Sequence, residues 1–232
     1  MKNGKGKRVM KTQKTFEAKN PGMPRHLIHS AFYILHSALF VCLLLLVGCF
    51  KEPTPGYKVL PEGSQVYLSG KGLKDLSSES NALALGDKIN YLNLDRNAFE
   101  TLPSEIPSLT GLKWLRLNEN KLSSLPDLSS LTQLRRIYLR GNRFTSVPET
   151  LKDLPSLTDI ELSENSITEI PAWLAQKTGL ENLSFNRTQI RKLPDDISAW
   201  RSLHSLQLGG LSLPLEEMKR IRAALPDTAI VF

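Results

Sequence analysis

The sequence is short of the side chains from which most active sites are built. Its 232 residues include two cysteines, four histidines and 7% aromatics. Both cysteines, Cys42 and Cys49, lie near the start, so the remainder has no material for a disulfide framework or a thiolate metal site, and its stability must come from packing. After residue 49 the sole histidine is His204. One imidazole and no thiol cannot supply a Cys/His nucleophile pair or a three-ligand zinc site. The adjacent Asp195 and Asp196 follow a proline at a position where charged surface is the default. No glycine-rich phosphate loop occurs. No catalytic residue, metal or cofactor is expected.

An excess of positive charge is missing as well, once position is considered. The formal charge is +7 with a pI near 9.4. Residues 1–25 carry eight bases (Lys2, Lys5, Lys7, Arg8, Lys11, Lys14, Lys19 and Arg25) against Glu17, which accounts for the whole +7. The rest is balanced. Phosphate contact needs a basic excess at the binding surface, so nucleic acid is not expected as a partner.

What is present begins with an apolar run. Leu27 to Val47 is interrupted only by His29, Ser30, His36 and Ser37, is densest from Ala38 to Val47, and ends at Gly48 and Cys49. Bases before a short apolar stretch with a small residue after it describe an export signal. An uncleaved anchor stays open, because about 20 apolar residues span a bilayer. A core helix fits poorly, since no polar face recurs at helical spacing. Leu46, Val47, Gly48 and Cys49 resemble the lipobox of bacterial lipoproteins. That resemblance implies cleavage before Cys49 and acylation of its sulfur and amino group, giving the several chains that stable anchoring requires. Leaders of that family are usually short, so Met23 or Met10 is the expected start. Phe50 stands where inner-membrane lipoproteins often carry aspartate, which allows sorting to an outer membrane or the cell surface. Phe50 to Glu62, with Pro53, Pro55, Gly56 and Pro61, reads as a stiff spacer.

The body repeats. Leucine or isoleucine restarts one pattern at Ile89, Leu112, Leu134, Leu157, Leu180 and Leu203, in steps of 23, 22, 23, 23 and 23. Within each unit runs L-x-x-L-x-L, as in Leu112, Leu115 and Leu117. Asparagine stands eight residues in, at Asn97, Asn120, Asn142 and Asn165, and proline fourteen in, at Pro103, Pro126, Pro148, Pro171 and Pro194. These columns resemble the leucine-rich-repeat family of the 22-to-24-residue kind. The alternation itself predicts one short strand per unit, and hence a parallel sheet. The asparagines are expected to form a structural ladder that satisfies backbone groups of neighbouring turns. Thr188 and Leu211 replace asparagine toward the C-terminus, and Lys71 does so in a degenerate opening unit. Leu215, Met218, Ile221 and Leu225 fall on one helix face, stopped by Pro226 before a final strand at 229–232, and read as a cap.

The expected organisation is a leader and signal over 1–48, a lipidated Cys49 with its linker over 49–62, and an α/β repeat solenoid over 63–232. The solenoid divides into an opening rung (63–88), repeats (89–211) and a C-terminal cap (212–232), with strands on the concave face and short helical or irregular convex segments. Reading two, four and six residues into each unit gives the outward side chains of that face. Aromatics and arginines gather on its first rungs, and the candidate ligand surface is Tyr91, Trp114, Arg116, Arg136, Tyr138 and Arg140, with Tyr67 alongside. These are residue types that commonly carry interface energy. A structural alternative reads them as lateral ion pairs, Arg136 with Asp159 and Arg116 reaching toward Glu161. The functional expectation is a monomeric, membrane-tethered module in the bacterial cell envelope that binds a protein or glycan. The alternatives are an envelope scaffold without a soluble ligand and an intracellular regulatory repeat protein.

Overall fold

The computed structural model describes residues 57–60 and 63–232, which form one unit. Every restart residue of the repeat is buried, as are the apolar residues three and five positions on: Ile89, Leu92 and Leu94 in one rung, Leu134, Ile137 and Leu139 in another, and Leu180, Leu183 and Phe185 in a third. The strands are β1 (Tyr57–Leu60), β2 (Gly63–Tyr67), β3 (Ile89–Asn93), β4 (Trp114–Arg116), β5 (Arg136–Tyr138), β6 (Asp159–Glu161), β7 (Asn182–Ser184), β8 (Ser205–Gln207) and β9 (Ala229–Val231). They form one open sheet in sequence order. The run β2 to β9 is parallel, the solenoid that the spacing predicts.

One expectation is corrected at the entrance. Tyr57–Leu60 lies inside the segment read as spacer, yet it pairs antiparallel with β2, from Tyr57↔Val66 to Leu60↔Gly63. The reason is an edge effect: without β1, β2 would present a row of unpaired N–H and C=O groups.

Past each strand the chain must turn inward, and one residue per rung does so in the left-handed region. This residue is Gly70, Arg96, Glu119, Gly141, Glu164, Arg187 or Gly210, always the seventh after the rung start. Four of the seven are not glycine. Each of those carries a cost of about 1–2 kcal/mol, and opposite charges stack beside one another there, with Arg96 Nε 3.1 Å from Glu119 Oε2.

The next residue is the asparagine. Asn120 Nδ2 donates to the carbonyls of Leu94 (3.0 Å) and Leu117 (3.1 Å), and its Oδ1 accepts from Phe99 N–H (3.3 Å). Asn97, Asn142 and Asn165 repeat that arrangement, each tying its own rung to the preceding one. Thr188 spans no such gap, and its hydroxyl donates to Phe185 of its own rung at 2.8 Å.

The convex return is short and varied. Proline precedes a 3₁₀ turn at Glu149–Leu151, helix α2 (Ala172–Gln176) and helix α3 (Leu215–Ala224), where its fixed φ suits a helix entry. Helix α1 (Ser80–Leu83) belongs to the opening rung. The 22-residue rung from Leu112 has no helical turn on this side; Ser129 N–H and hydroxyl bond instead to Asp127.

Helix α3 corrects a second expectation. Its inward face presents Glu217, Ile221 and, just beyond the helix, Leu225, with Met218 half-buried, whereas Leu215 is 65% exposed. Glu217 is inward because its carboxylate accepts the backbone N–H of Leu193 at 2.8 Å and pairs with Arg220 at 2.8 Å. Arg220 in turn donates to the carbonyls of Leu193, Pro194 and Asp195. Burial of this carboxylate is compensated by hydrogen bonds and a counter-charge.

Candidate functional site

Strand register decides which outward side chains meet. Because β3, β4 and β5 pair without offset, Tyr91, Trp114 and Arg136 stand in one row, followed by Asp159. A second row runs Tyr67, Asn93, Arg116, Tyr138 and Glu161.

In the first row the Tyr91 and Trp114 rings meet edge to face, with centroids 5.8 Å apart at 72°. Tyr67 joins them from the second row, its ring 5.2 Å from that of Tyr91. The Arg136 guanidinium lies 4.9 Å from the Trp114 centroid, and its Nε is 3.6 Å from Asp159 Oδ2. Asp159 also accepts from Asn182 Nδ2 at 2.8 Å and from Thr158 Oγ1 at 2.6 Å. In the second row the Arg116 guanidinium lies 5.2 Å from the Tyr138 centroid.

Arg116 does not reach toward Glu161. Its Nε donates to Asp95 Oδ2 at 2.7 Å, a carboxylate one rung earlier in the third row, whose other oxygen accepts Asn118 N–H. Counting within rows could not find this diagonal partner. The signal was present, because Asp95 occupies the sixth position of its unit.

Five of the six candidate residues, Tyr91, Trp114, Arg116, Arg136 and Tyr138, thus share a web of ring and guanidinium contacts. Arg140 is drawn aside to the turn, where its Nη2 donates to Glu164 Oε1 at 2.9 Å and Arg187 Nη1 reaches the same oxygen at 2.8 Å. The arginine bonds, that from Arg140 foremost, hold the Glu164 carboxyl below its usual range. Burial raises the Tyr91 hydroxyl, with Arg116 opposing. At Arg116 burial works against the charged form, but Asp95 prevails and the guanidinium is held more basic than usual.

These contacts settle the character of the face more than its stability. Exposed cation–π contacts contribute about 0.5–1 kcal/mol and exposed ion pairs about 0–1 kcal/mol. Their effect is to fix large side chains in place. Tyr67 and Trp114 remain about 40% and 39% exposed, so the rings are both positioned and accessible.

Among the described residues no group of three or more His, Cys, Asp or Glu could hold a metal ion. His204 is exposed at the approach to β8. A cavity of about 830 Å³ opens away from the aromatic patch, bordered by Glu169, Arg191, Lys192 and Asp195. A smaller one of about 230 Å³ continues the patch along the sheet, bordered by Tyr138, Asp159, Glu161, Asn182, Ser184 and Gln207. Cys49 and the segment read as a signal lie outside the described residues, and no helix among the described residues is long and apolar enough to cross a membrane.

Comparison with known proteins agrees with this architecture. Residues 87–144 and 132–190 match the leucine rich repeat family. Keratocan of Bos taurus is 32% identical over 91 residues, a match covering 37% of this chain and 24% of keratocan. Leucine-rich repeat and WD repeat-containing protein 1 of Mus musculus is 34% identical over 85 residues, covering 37% of this chain and 13% of its own length. Among solved structures, an LRR protein of Leptospira interrogans superposes with a TM-score of 0.58 at 29% identity, covering 69% of this chain and 46% of that one. A TDR receptor shares the fold, with a TM-score of 0.53 at 24% identity over 62% of this chain and 26% of its own. The chain therefore spans about a quarter of keratocan and under half of the Leptospira protein. Its described body is a leucine-rich-repeat solenoid.

Proposed function

We propose that this leucine-rich-repeat chain is a non-catalytic binding module that takes a protein or glycan ligand on the concave face of its first rungs. The observation that carries this reading is the continuous run Tyr67, Tyr91, Trp114 and Arg136, half-exposed yet locked by its own neighbours. Rigid aromatics lose little entropy on binding and bury large areas. Simultaneous replacement of Trp114 and Tyr138 by serine should abolish ligand binding and leave the cooperative unfolding transition in place. Unchanged binding would move the site to the convex side or an edge.

In the same reading the module is a lipoprotein of the bacterial cell envelope, tethered through acylated Cys49. The support is the apolar run ending in Leu46, Val47, Gly48 and Cys49. Mass spectrometry of the mature N-terminus tests it directly: a chain beginning at a triacylated Cys49 is the expected result, and an unmodified Cys49 would overturn it. A scaffold role without soluble ligand is the second reading. It is favoured by the pairing of Arg116, Arg136 and Arg140 with carboxylates of the chain itself. Failure of any soluble protein or glycan to bind the intact chain would favour it.

A further inference from the structure

Along the outward rows of the sheet, charges cancel in pairs. Arg116 faces Asp95, Arg136 faces Asp159, and Arg140 faces Glu164. Glu161 is left over. Among the described residues its carboxylate enters no ion pair within 4.0 Å, although Arg140 lies near enough to feel its charge, and its hydrogen bond is at Oε1, which accepts Ser163 N–H at 2.7 Å. It borders the 230 Å³ cavity that continues the aromatic patch, and the same cavity is bordered by the Tyr138 ring and by Asn182 and Gln207.

The amides beside it are already oriented. Asn182 spends its Nδ2 on Asp159, and Gln207 spends its Nε2 on Ser205 Oγ at 2.8 Å. One N–H of each amide is therefore engaged inside the protein, which fixes the amide's orientation, and its carbonyl oxygen stays available to an incoming group. Ser184 Oγ is likewise tied to Ser163 Oγ at 2.7 Å. An aromatic wall, a carboxylate outside any direct ion pair and spare carbonyl acceptors together suit a cation that brings several N–H donors. No arginine or lysine borders this cavity.

We propose that the concave face is a two-part seat for an extended protein segment, which lays an apolar residue on Tyr91 and Trp114 and a lysine ammonium into the cavity at Glu161. This rests on the binding role proposed above and specifies its partner as protein. The spacing follows from the strands: Trp114 on β4 and Glu161 on β6 are two strands apart, about 10 Å across the sheet at roughly 4.8 Å per strand, with an offset of one row that the long lysine stem spans. An extended peptide covers that distance in three residues, so the apolar residue and the lysine stand three positions apart. Glu161 acts in orientation and specificity, because a neutral ligand would leave its charge unpaired.

The test uses the full chain in detergent micelles, with backbone amide resonances followed by nuclear magnetic resonance. The probe is the peptide acetyl-Leu-Gly-Ser-Lys-amide, alongside the same peptide acetylated on the lysine nitrogen. The expected result is shifts at Ser163, Ser184 and the Trp114 indole, with affinity at least fivefold weaker for the acetylated peptide and equally weakened by Glu161→Gln. That variant keeps the oxygen that accepts Ser163 N–H, so the fold is retained. Shifts around Trp114 that ignore both lysine acetylation and Glu161→Gln would overturn the lysine seat while sparing the concave-face reading. Absence of any shift on the sheet would overturn both. Binding of chitotetraose at these amides without binding of the peptide would also overturn the proposal, in favour of a glycan.

Discussion

Replacing Asn165 by leucine tests the reasoning about how the rungs are joined. Leucine is the natural occupant of the same column at position 211, so the change asks only for the loss of polar contacts. Asn165 is 5% exposed. It donates to the carbonyls of Leu139 (2.9 Å) and Leu162 (3.0 Å) and accepts from Phe144 N–H (3.0 Å). Each buried group left without its partner costs about 1–3 kcal/mol, so three groups at the low end give about 3–4 kcal/mol. Asn142 makes the same set of bonds but is only half-buried, so water can replace the side chain there. Asn142→Leu is therefore expected to cost about 1–2 kcal/mol, on the same per-group scale. Urea unfolding followed by circular dichroism measures both variants. Native-state hydrogen exchange should show the Phe144 amide losing protection in Asn165→Leu ahead of amides in other rungs, as nearest-neighbour coupling requires. Equal costs for the two variants, or a cost under about 1 kcal/mol for Asn165→Leu, would refute a ladder that works by satisfying buried backbone.

Two further outcomes follow from the C-terminal rungs. Trp200 is fully buried and its Nε1 donates to the Leu174 carbonyl at 2.8 Å, so Trp200→Ala should cost about 3–5 kcal/mol in thermal unfolding, and Trp200→Phe distinctly less. Glu217 is held below its ordinary range, first by its bond from Arg220. A depressed folded value means that its contribution is complete above the unfolded glutamate value of about 4.3 and is lost as pH falls through the lower folded value. Glu217→Gln should thus unfold at lower urea than the parent at pH 7, with the gap closing below about pH 4; a gap independent of pH would contradict the assignment.

The sequence made the periodic part of this molecule readable because burial repeats with the rung. Leu92, Leu115, Ile137, Ile160 and Leu183 recur at nearly constant spacing and all face the core. Register then follows, and with it the row Tyr91, Trp114 and Arg136. Features that depend on diagonal contacts or on single positions were hidden. Asp95 pairs across rows, so counting along one row pointed Arg116 toward Glu161 instead. The left-handed column was masked because arginine and glutamate, not glycine, fill four of its seven positions. Helix α3 misled because Glu217 takes an inward place that an apolar pattern assigns elsewhere, leaving Leu215 in solvent. At the entrance, prolines near Tyr57 suggested a spacer, although the open side of β2 called for a partner.

Dependence between the rungs has a direction. Phe99 waits on Asn120, Leu122 on Asn142 and Phe144 on Asn165, always an earlier amide on a later side chain some 20 or 21 residues away. A chain made from its amino end therefore produces each coil before the group that completes it. During synthesis the newest finished coil stays provisional until roughly one more has emerged, and the growing tip would be the natural place for a chaperone to hold.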